Sequence, residues 1–305
     1  SRDEAGAMNI LVLGHLVLDE IHALDGSVYE SAGGITFPLS AFAAVGVDDR
    51  IVPVFPYGSD AADELHRLAA LYPNLDISAC REVPEANTRV RLFHDSRSSY
   101  NTQLVRSLGS IAPEWLEPLL PTARLVYLNM MTGHDITVEH AAMLRGQGRL
   151  VYIDAHMIAY RVHRDGRREP SPTADRARWA NAADVFQCNE REFVALMNDE
   201  NEQRARETLF NEAPRTRLVI TRAEAGADVY DPDGAVLRVA PVAPPAVVDP
   251  TGCGDAFGSV FAWGLAHGEE TAMAAKRAAR AAAFVVSLPG SRGMEHLRDH
   301  LGAVA

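Results

Sequence analysis

From about residue 124 onward, short apolar runs alternate with helical patterns, and this alternation limits the possible folds more than any other feature. Strands that are joined through helices run parallel, and a parallel sheet is covered by helices on both faces. The chain is therefore predicted to form a three-layer α/β/α domain with a mainly parallel central sheet. The predicted strands are 124–129, 150–154, 184–187 and 213–220, the predicted helices are 135–145 and 176–181, and a hairpin is predicted at 229–239.

The N-terminal part adds elements of the same kind. They are a strand at 9–14, a helix opened by Gly33 and Gly34 that runs to about Val45, a strand at 51–55 and a helix at 60–71. Ligands of parallel sheets bind at the carboxyl ends of the strands, so residues that follow strands converge on one site. Five polar residues are predicted to lie at or just after strand ends, and they predict a single active site: Asp19, Asp154, Asn189, Thr221 and Asp249.

A glycine-rich turn follows the apolar run that ends at Asp249. Gly252 and Gly254 bracket Cys253, and a helical pattern then begins with Asp255 in its first turn. The first N–H groups of a helix lack intrahelical partners, and the helix dipole places positive charge there. This turn could hold an anion such as a transferring phosphoryl group, with Asp255 as the base for an incoming hydroxyl. The same residues also fit a plain turn with an acid at a helix start, because short glycine motifs are often false positives.

Charge and hydropathy exclude several classes of partner. The net charge of −12 argues against nucleic acid and anionic membranes as partners. No apolar run approaches the ~20 residues that a membrane span needs. Residues 1–7 lack the apolar core of a signal peptide, so a cytoplasmic location is expected. Met8 and its apolar sequel are typical of a natural start, so residues 1–7 are expected to be disordered or left over from expression.

Two residue types limit the chemistry. Lys276 is the only lysine among 29 Lys and Arg residues and does not follow a glycine loop, which excludes a Walker-type P-loop and argues against Schiff-base catalysis. The segment after Gly14 is not Gly-x-Gly-x-x-Gly, so the dinucleotide fingerprint is absent. Cys80, Cys188 and Cys253 are far apart and odd in number, which predicts reduced thiols and no structural zinc site.

The segment from Asp249 to Phe257, Asp-Pro-Thr-Gly-Cys-Gly-Asp-Ala-Phe, resembles the C-terminal motif of the ribokinase-like (PfkB) carbohydrate kinase family, which usually reads Asp-Thr-Thr-Gly-Ala-Gly-Asp-Ala-Phe. Weaker motifs of that family follow in order from Met8 to about Gly293. The resemblance implies a ribokinase-like fold that transfers phosphate from ATP, with Mg²⁺, to a hydroxymethyl group of a sugar or similar small molecule. It makes Asp255 the general base and the turn from Gly252 to Gly254 the anion hole.

The resemblance also implies an acceptor site. Asp19 matches the family's substrate-binding Asp, and Gly33 and Gly34 match its Gly-Gly pair, although the Asn that usually follows is missing and Phe37 makes the expected pocket more apolar. Asp154 and His156 lie where many members have Asp-x-Asn, so Asp154 is assigned to substrate with His156 in place of Asn. Asn129 and His134 are expected near this pocket without a specified role.

For the nucleotide, Asn189 and Glu192 match the family's Asn-x-x-Glu motif, in which Glu192 organises Mg²⁺ through water. The same pair also fits a capped helix start. Two further sets complete the resemblance. Thr221, Arg222 and Gly226 match a phosphate-contacting turn in which Ala223 replaces a glycine, and Asp249 and Thr251, with carbonyls near 287–293, match a site for a monovalent cation such as K⁺.

Strands from about 16–31 and 76–105 are expected to form a small β-sheet lid that excludes water from the acceptor, within one kinase domain spanning 8–305. Exposed edge strands of such a lid could pair between subunits, so a homodimer is expected. Arg89 and Arg91 in this region could bind an anionic substrate, although surface arginines usually do not.

Three other interpretations remain open. A nucleoside kinase shares the fold and the motifs, and the apolar Phe37 favours it. A sugar-binding regulator without catalysis is a second possibility, opposed by the intact Asp255 and glycine turn. A Rossmann dehydrogenase is a poor third, because its glycine fingerprint is missing.

Overall fold

The computed structural model describes residues 7–94 and 100–302, so the prediction for residues 1–7 lies outside the described residues except at Ala7. The strands are β1 (Asn9–Leu13), β2 (Leu16–His22), β3 (Val28–Gly34), β4 (Arg50–Val54), β5 (Pro56–Gly58), β6 (Arg81–Val83), β7 (Arg89–His94), β8 (Tyr100–Arg106), β9 (Ala123–Asn129), β10 (Leu150–Asp154), β11 (Tyr160–Val162), β12 (Arg168–Pro170), β13 (Val185–Asn189), β14 (Arg217–Thr221), β15 (Ala227–Tyr230) and β16 (Val236–Val239). The α-helices are α1 (Thr36–Val45), α2 (Ala62–Leu71), α3 (Pro113–Leu116), α4 (Val138–Ala141), α5 (Arg176–Ala182), α6 (Glu190–Met197), α7 (Glu202–Glu212), α8 (Cys253–Ala266), α9 (Thr271–Val285) and α10 (Leu297–Gly302).

The central sheet has eight strands in the order β16-β15-β14-β13-β10-β9-β1-β4. The six strands from β14 to β4 in this order pair parallel. The pairs β14–β15 and β15–β16 at the other edge are antiparallel. Because strand side chains alternate between faces, Ile10 and Val12 of β1 enter one apolar cluster and Leu11 and Leu13 enter the other. Helices α1, α2, α8, α9 and α10 cover the first face and α3 to α7 the second. The predicted three-layer α/β/α architecture is confirmed.

A second sheet of four strands, called the small sheet below, stands apart in the order β3-β2-β7-β8. Its buried residues form their own cluster of Val17, Ile21, Val90 and Leu92. The beginning of the expected segment 76–105 forms no strand of this sheet. Asp76 instead accepts a hydrogen bond from the N–H of Ser78 and caps a 3₁₀ turn, Ile77–Ala79, and β6 then pairs with β5.

A hairpin that the sequence did not predict, β11–β12, connects the central sheet to the small sheet. It begins directly after the 3₁₀ turn His156–Ala159. Near its tip the N–H of Leu104 in β8 donates to the carbonyl of Gly166 at 2.8 Å, and Nε2 of Gln103 donates to the carbonyl of Asp165 at 2.7 Å. Part of the β8 edge is therefore covered, which leaves β3 as the open edge of the small sheet.

Several predicted helices differ at their ends. Gly33 and Gly34 end β3, and α1 starts at Thr36, where Pro38 is tolerated because it lies in the first turn. The helix expected at 135–145 is shorter, since α4 gives way to a 3₁₀ turn at Ala142–Leu144. None of the helices in the described ranges is both long enough and apolar enough to cross a membrane.

The turn after β14 holds a residue in an unfavourable conformation. Ala223, which stands where the resembled family has glycine, has φ of +47°. L-residues with a Cβ in this left-handed region cost roughly 1 kcal/mol relative to glycine. The chain therefore carries local strain at this exposed turn.

We expect Ala223→Gly to raise the free energy of unfolding by about 0.5–1 kcal/mol, because glycine adopts positive φ without steric cost. Ala225 lies in the same exposed turn without a positive φ, so Ala225→Gly is the matched control and should lower stability. Urea unfolding of both variants measures the effect, and a destabilised Ala223→Gly would contradict it.

Candidate active site

Three of the five residues predicted at strand ends are the last residues of neighbouring strands of the central sheet: Asp154 of β10, Asn189 of β13 and Thr221 of β14. Strand-end placement was wrong for the other two. Asp19 lies in the middle of β2, within the small sheet. Asp249 follows no strand, because the apolar run before it is a loop in which Val247 and Val248 are exposed and the N–H groups of Val248 and Asp249 donate to Val286 O.

The glycine turn leads into α8, which starts at Cys253. Gly252 has φ of +81°, and a Cβ there would lie 2.0 Å from the Phe37 ring, so only glycine fits. The helix has no side-chain cap at this end. Among the described residues, the N–H groups of Gly254 and Asp255 donate to no other group. The turn therefore presents free N–H donors at the positive end of a helix dipole.

Asp255 is the third residue of α8 and is 7% exposed. The Nδ2 of Asn129, the last residue of β9, donates to Oδ1 of Asp255 at 2.7 Å, and Asn129 is fully buried. Within residues 7–94 and 100–302, Oδ2 of Asp255 accepts no hydrogen bond. Asn129 Oδ1 is likewise buried without a partner in the described part of the chain. One carboxylate oxygen is thus fixed, and the other remains available beside an unsatisfied acceptor.

Side chains from the neighbouring strands β9 and β13 fix the carboxylate of Asp154. Its Oδ2 accepts from the Tyr127 hydroxyl at 3.2 Å and from Gln187 Nε2 at 2.8 Å. Gln187 Nε2 also donates to the carbonyl of Gly254 at 3.0 Å, so one amide connects Asp154 to the glycine turn. Burial raises the pKa of Asp154, and the nearby His156 opposes that rise.

His156 lies between the acidic residues of the site. Its Nε2 is 3.2 Å from Asp154 Oδ2 and 3.4 Å from Asp255 Oδ1, and its Nδ1 is 3.8 Å from Glu192 Oε1. Burial alone would lower the pKa of His156, but the carboxylates of Asp154 and Asp255 outweigh it and hold that pKa well above its ordinary value.

Asn189 and Glu192 form a capping box at the start of α6. The N–H of Glu192 donates to Asn189 Oδ1, and the N–H of Asn189 donates to Glu192 Oε2, both at 2.9 Å. The interpretation as a capped helix start is confirmed. Glu192 is buried, and burial raises its pKa while His156 lowers it. Its second oxygen, Oε1, is outside the capping box and faces His156, so one oxygen of Glu192 is free for a hydrated metal.

Arg222 is held by carboxylates. Its guanidinium pairs with Glu190, Glu202 and Asp228 at 2.6–2.8 Å and donates to the Tyr230 hydroxyl. These partners, with Glu202 first, raise the pKa of Arg222 above its ordinary range. The charge of Arg222 is already balanced, so it ties the turn after β14 to α6, α7 and β15, and a direct phosphate contact would require breaking these pairs.

The acceptor residues predicted by resemblance lie together. A Cβ on Gly33 would lie 1.9 Å from Asp19 Oδ2, and a Cβ on Gly34, at φ of +60°, would lie 2.5 Å from the carbonyl of His15. Burial raises the pKa of Asp19 to about 7, with Arg168 opposing and Asp249 adding to the shift. The expected apolar pocket wall at Phe37 is wrong, because Phe37 is 3% exposed and packs beneath Gly252.

The loop before α8 contains the predicted cation ligands. The N–H of Thr251 donates to Asp249 Oδ1 at 2.9 Å, and Val286 O is the carbonyl that the loop contacts, just before the predicted 287–293 segment. Burial, then Asp249 and Asp255, raise the pKa of Cys253 to about 12. A thiol with this pKa stays neutral, which favours the interpretation of Cys253 as a small apolar residue. All three cysteines are free, as expected.

The remaining candidates lie farther out. Arg89 pairs with Glu30 and Arg91 with Glu20, so the small sheet's own carboxylates balance both arginines. His134 is exposed, and its backbone N–H donates to Thr132 Oγ1. Sequence reasoning placed Asn129 near the pocket without a role and missed Tyr127, Gln187 and Arg168. Tyr127 and Gln187 lie inside apolar strands. Their polar groups within otherwise apolar runs were the sequence signal that could have indicated a buried site.

Comparison with known proteins gives consistent results. A model of pfkB family carbohydrate kinases matches residues 54–297. The cytidine kinase of Thermococcus kodakarensis is 26% identical over 274 residues, which cover 86% of this chain and 90% of that protein.

Two solved structures share the fold. A pyrophosphate-dependent kinase in the ribokinase family, solved as a sulfate complex, superposes with a TM-score of 0.81 at 16% identity and covers 97% of this chain and 100% of its own. A nucleoside kinase from Burkholderia thailandensis, solved with inosine, has a TM-score of 0.71 at 19% identity and covers 97% of this chain and 96% of its own. Identities this low show the shared ribokinase-like fold alone.

The shifted pKa of Asp19 predicts a pH-dependent stability. A carboxyl with a raised folded pKa lowers the free energy of unfolding once it is ionised in the unfolded chain. This loss is absent below the unfolded pKa and complete above the folded pKa, which is about 7 for Asp19. Asp19→Asn should therefore raise the urea midpoint more at pH 8.5 than at pH 5. Asp48→Asn, an exposed turn position, is the control and should show no such difference. An equal gain for Asp19→Asn at both pH values would contradict the prediction.

Proposed function

This chain belongs to the pfkB family of carbohydrate kinases, and on that premise we propose that it transfers the γ-phosphate of ATP to the hydroxymethyl group of a sugar or nucleoside. The family makes it a phosphotransferase with an alcohol as acceptor. The observation that carries the proposal is the carboxylate of Asp255, held at Oδ1 by Asn129 in the first turn of an uncapped helix.

In the proposed reaction, Oδ2 of Asp255 takes the proton of the acceptor hydroxyl. The acceptor oxygen forms a bond to the γ-phosphorus while the bond to the β–γ bridging oxygen breaks, and ADP leaves. The free N–H groups at the start of α8 stabilise charge on the transferring phosphoryl group, the task that a lysine performs in P-loop enzymes. The buried, unpaired Asn129 Oδ1 is suited to accept a hydrogen bond from another hydroxyl of the acceptor.

Metal ions are assigned by the chemistry of the donor atoms. Glu192 would hold Mg²⁺ through water with Oε1, because Oε2 is used in the capping box, and Mg²⁺ keeps several waters in such sites. Bound Mg²⁺ supplies positive charge to the donor phosphates. Asp249 and Thr251 are proposed for a monovalent cation, since their loop brings carboxylate and backbone oxygens together near Val286.

The proposed acceptor site lies between the small sheet and α8. Asp19 would accept hydrogen bonds from acceptor hydroxyls, and Gly33 leaves the space in front of it. Thr221 and Gly226 are proposed to contact the nucleotide from the turn after β14. The small sheet would cover the acceptor and exclude water. A homodimer, if formed through this sheet, would use the open edge of β3, and sedimentation velocity reporting only monomer would contradict it.

A nucleoside acceptor is the second candidate, and the similarity to a cytidine kinase over 90% of that protein's length favours it. ADP release from ATP with Mg²⁺ should be measured on ribose, fructose, myo-inositol, cytidine, adenosine and inosine, each with and without K⁺. Pyrophosphate should be tested as the alternative donor. Nucleotide binding without turnover on any alcohol would indicate the non-catalytic regulator instead.

We expect Asp255→Asn to lower kcat by about 10²–10⁴-fold on the best acceptor, because removal of a positioned base commonly has this effect. Nucleotide binding, measured by calorimetry, should persist, since the backbone donors remain. Asp233→Asn, in the exposed hairpin turn, is the control and should keep parental activity. Full activity of Asp255→Asn would rule out the assigned base.

A further inference from the structure

His156 has an unusual backbone for its position. Its φ is +32°, outside the usual range for a residue with a side chain. Both neighbours are fixed, because the N–H of Ala155 donates to Gln187 O at 2.8 Å and the N–H of Met157 donates to Met130 O at 2.9 Å. Strand β13 and the residue that follows β9 therefore hold the strained residue between them. Strain of this kind costs roughly 1–3 kcal/mol and persists where the surrounding structure imposes it, often at functional sites.

The strained backbone places a ring among three buried carboxylates. The side chains of Asp154, Asp255 and Glu192 are 2%, 10% and 7% exposed, whereas His156 is 25% exposed and so forms the more accessible part of the cluster. Nε2 of His156 lies within 3.4 Å of two carboxylate oxygens without an aligned hydrogen bond to either. The ring is thus close enough to act on Asp255 and is not fixed by one partner.

The position of the ring within the cluster gives it a geometric role. Among the described residues, the side chain of His156 lies within 4 Å of the carboxylates of Asp154, Glu192 and Asp255. Asn129 and His156 approach the same oxygen of Asp255, from β9 and from the turn after β10.

We infer that His156 is a positioning residue for phosphoryl transfer: its ring, which lies 3.4 Å from Oδ1 of Asp255 beside the hydrogen bond from Asn129, confines that oxygen so that Oδ2 meets the acceptor hydroxyl. The inference rests on the proposed function, since it assigns the residue that orients the proposed base. The resemblance to the family does not imply this role, because many of its members have Asn at this position.

A glycine variant at position 156 tests the loss of the ring without adding backbone strain. His156→Gly removes the ring and relieves the positive φ, so folding should be kept and the melting temperature should stay within a few degrees of the parent. We expect kcat on the best acceptor to fall by up to about 100-fold, as expected for a misplaced catalytic group, with the acceptor KM changed by no more than about threefold. Added imidazole should restore part of kcat by occupying the vacated space.

A second variant and a matched control complete the experiment. His156→Asn tolerates the left-handed backbone and keeps an amide N–H donor in place of the ring, so its kcat should lie between those of the parent and the glycine variant. His163 is the control, because it is also about one-quarter exposed and pairs with a carboxylate, Glu169, in the adjacent hairpin. His163→Gly should keep parental kcat and should not respond to imidazole.

Parental kcat in His156→Gly would overturn the inference, as would a loss that imidazole does not recover in the folded variant. If the glycine variant does not fold, His156→Asn decides, and a parental kcat there overturns the inference. Asp255→Asn separates the two claims. Activity in that variant defeats the proposed function itself, whereas an inactive Asp255→Asn beside a fully active His156→Gly defeats only the role of His156.

Discussion

The site depends on how closely α8 approaches the carboxyl edge of the parallel sheet. A Cβ on Gly258 would lie 2.7 Å from the Tyr127 hydroxyl and 2.9 Å from Gln187 Oε1, so glycine is required for α8 to lie this close to β9 and β13. The approach brings two amides to the helix start, Asn129 to Asp255 and Gln187 to the carbonyl of Gly254. The sheet therefore positions the helix N-terminus directly, and no side chain of the loop before it serves as a cap.

This arrangement explains how the chain can handle phosphate with one lysine. A P-loop combines backbone N–H groups with a lysine, whereas here the donors proposed for phosphate are the free N–H groups at the start of α8. Burial raises the pKa of Asp154 and of Glu192, and His156 opposes the rise at both. Keeping such buried carboxylates ionised costs stability, and the Mg²⁺ proposed at Glu192 would offset part of that cost.

Much of the fold and part of the site follow from local pattern. Asp154, Asn189 and Thr221 each end an apolar run, and parallel strands bring such ends to one edge whatever the loops do. Val247 and Val248 had the same local pattern but pair with no strand of the described chain, and they lie in an exposed loop that bonds to the carbonyl of Val286. Strand formation depends on a partner, and sequence pattern does not supply one.

Side-chain roles that depend on tertiary partners could not be predicted in the same way. Arg222 was predicted to contact phosphate, and no local pattern indicated that Glu190, Glu202 and Asp228 from three other elements would pair with it. Phe37 was expected to line a pocket, yet its ring fills the space under Gly252 that the missing Cβ leaves open. These partners come from separate elements, which a local sequence pattern does not bring together.

The hairpin β11–β12 is hydrogen-bonded at its base beside the turn that holds His156 and at its tip to the small sheet. Its base is closed by the N–H of Ser171 donating to the carbonyl of Ala159, within three residues of His156, and its tip is bonded to Leu104 of the small sheet. A Cβ on Gly166 would lie 2.0 Å from the carbonyl of Leu104, so the tip packs backbone against backbone. Movement of the small sheet must therefore either break these bonds or carry the hairpin with it. The hairpin thus connects the turn that holds His156 directly to the small sheet.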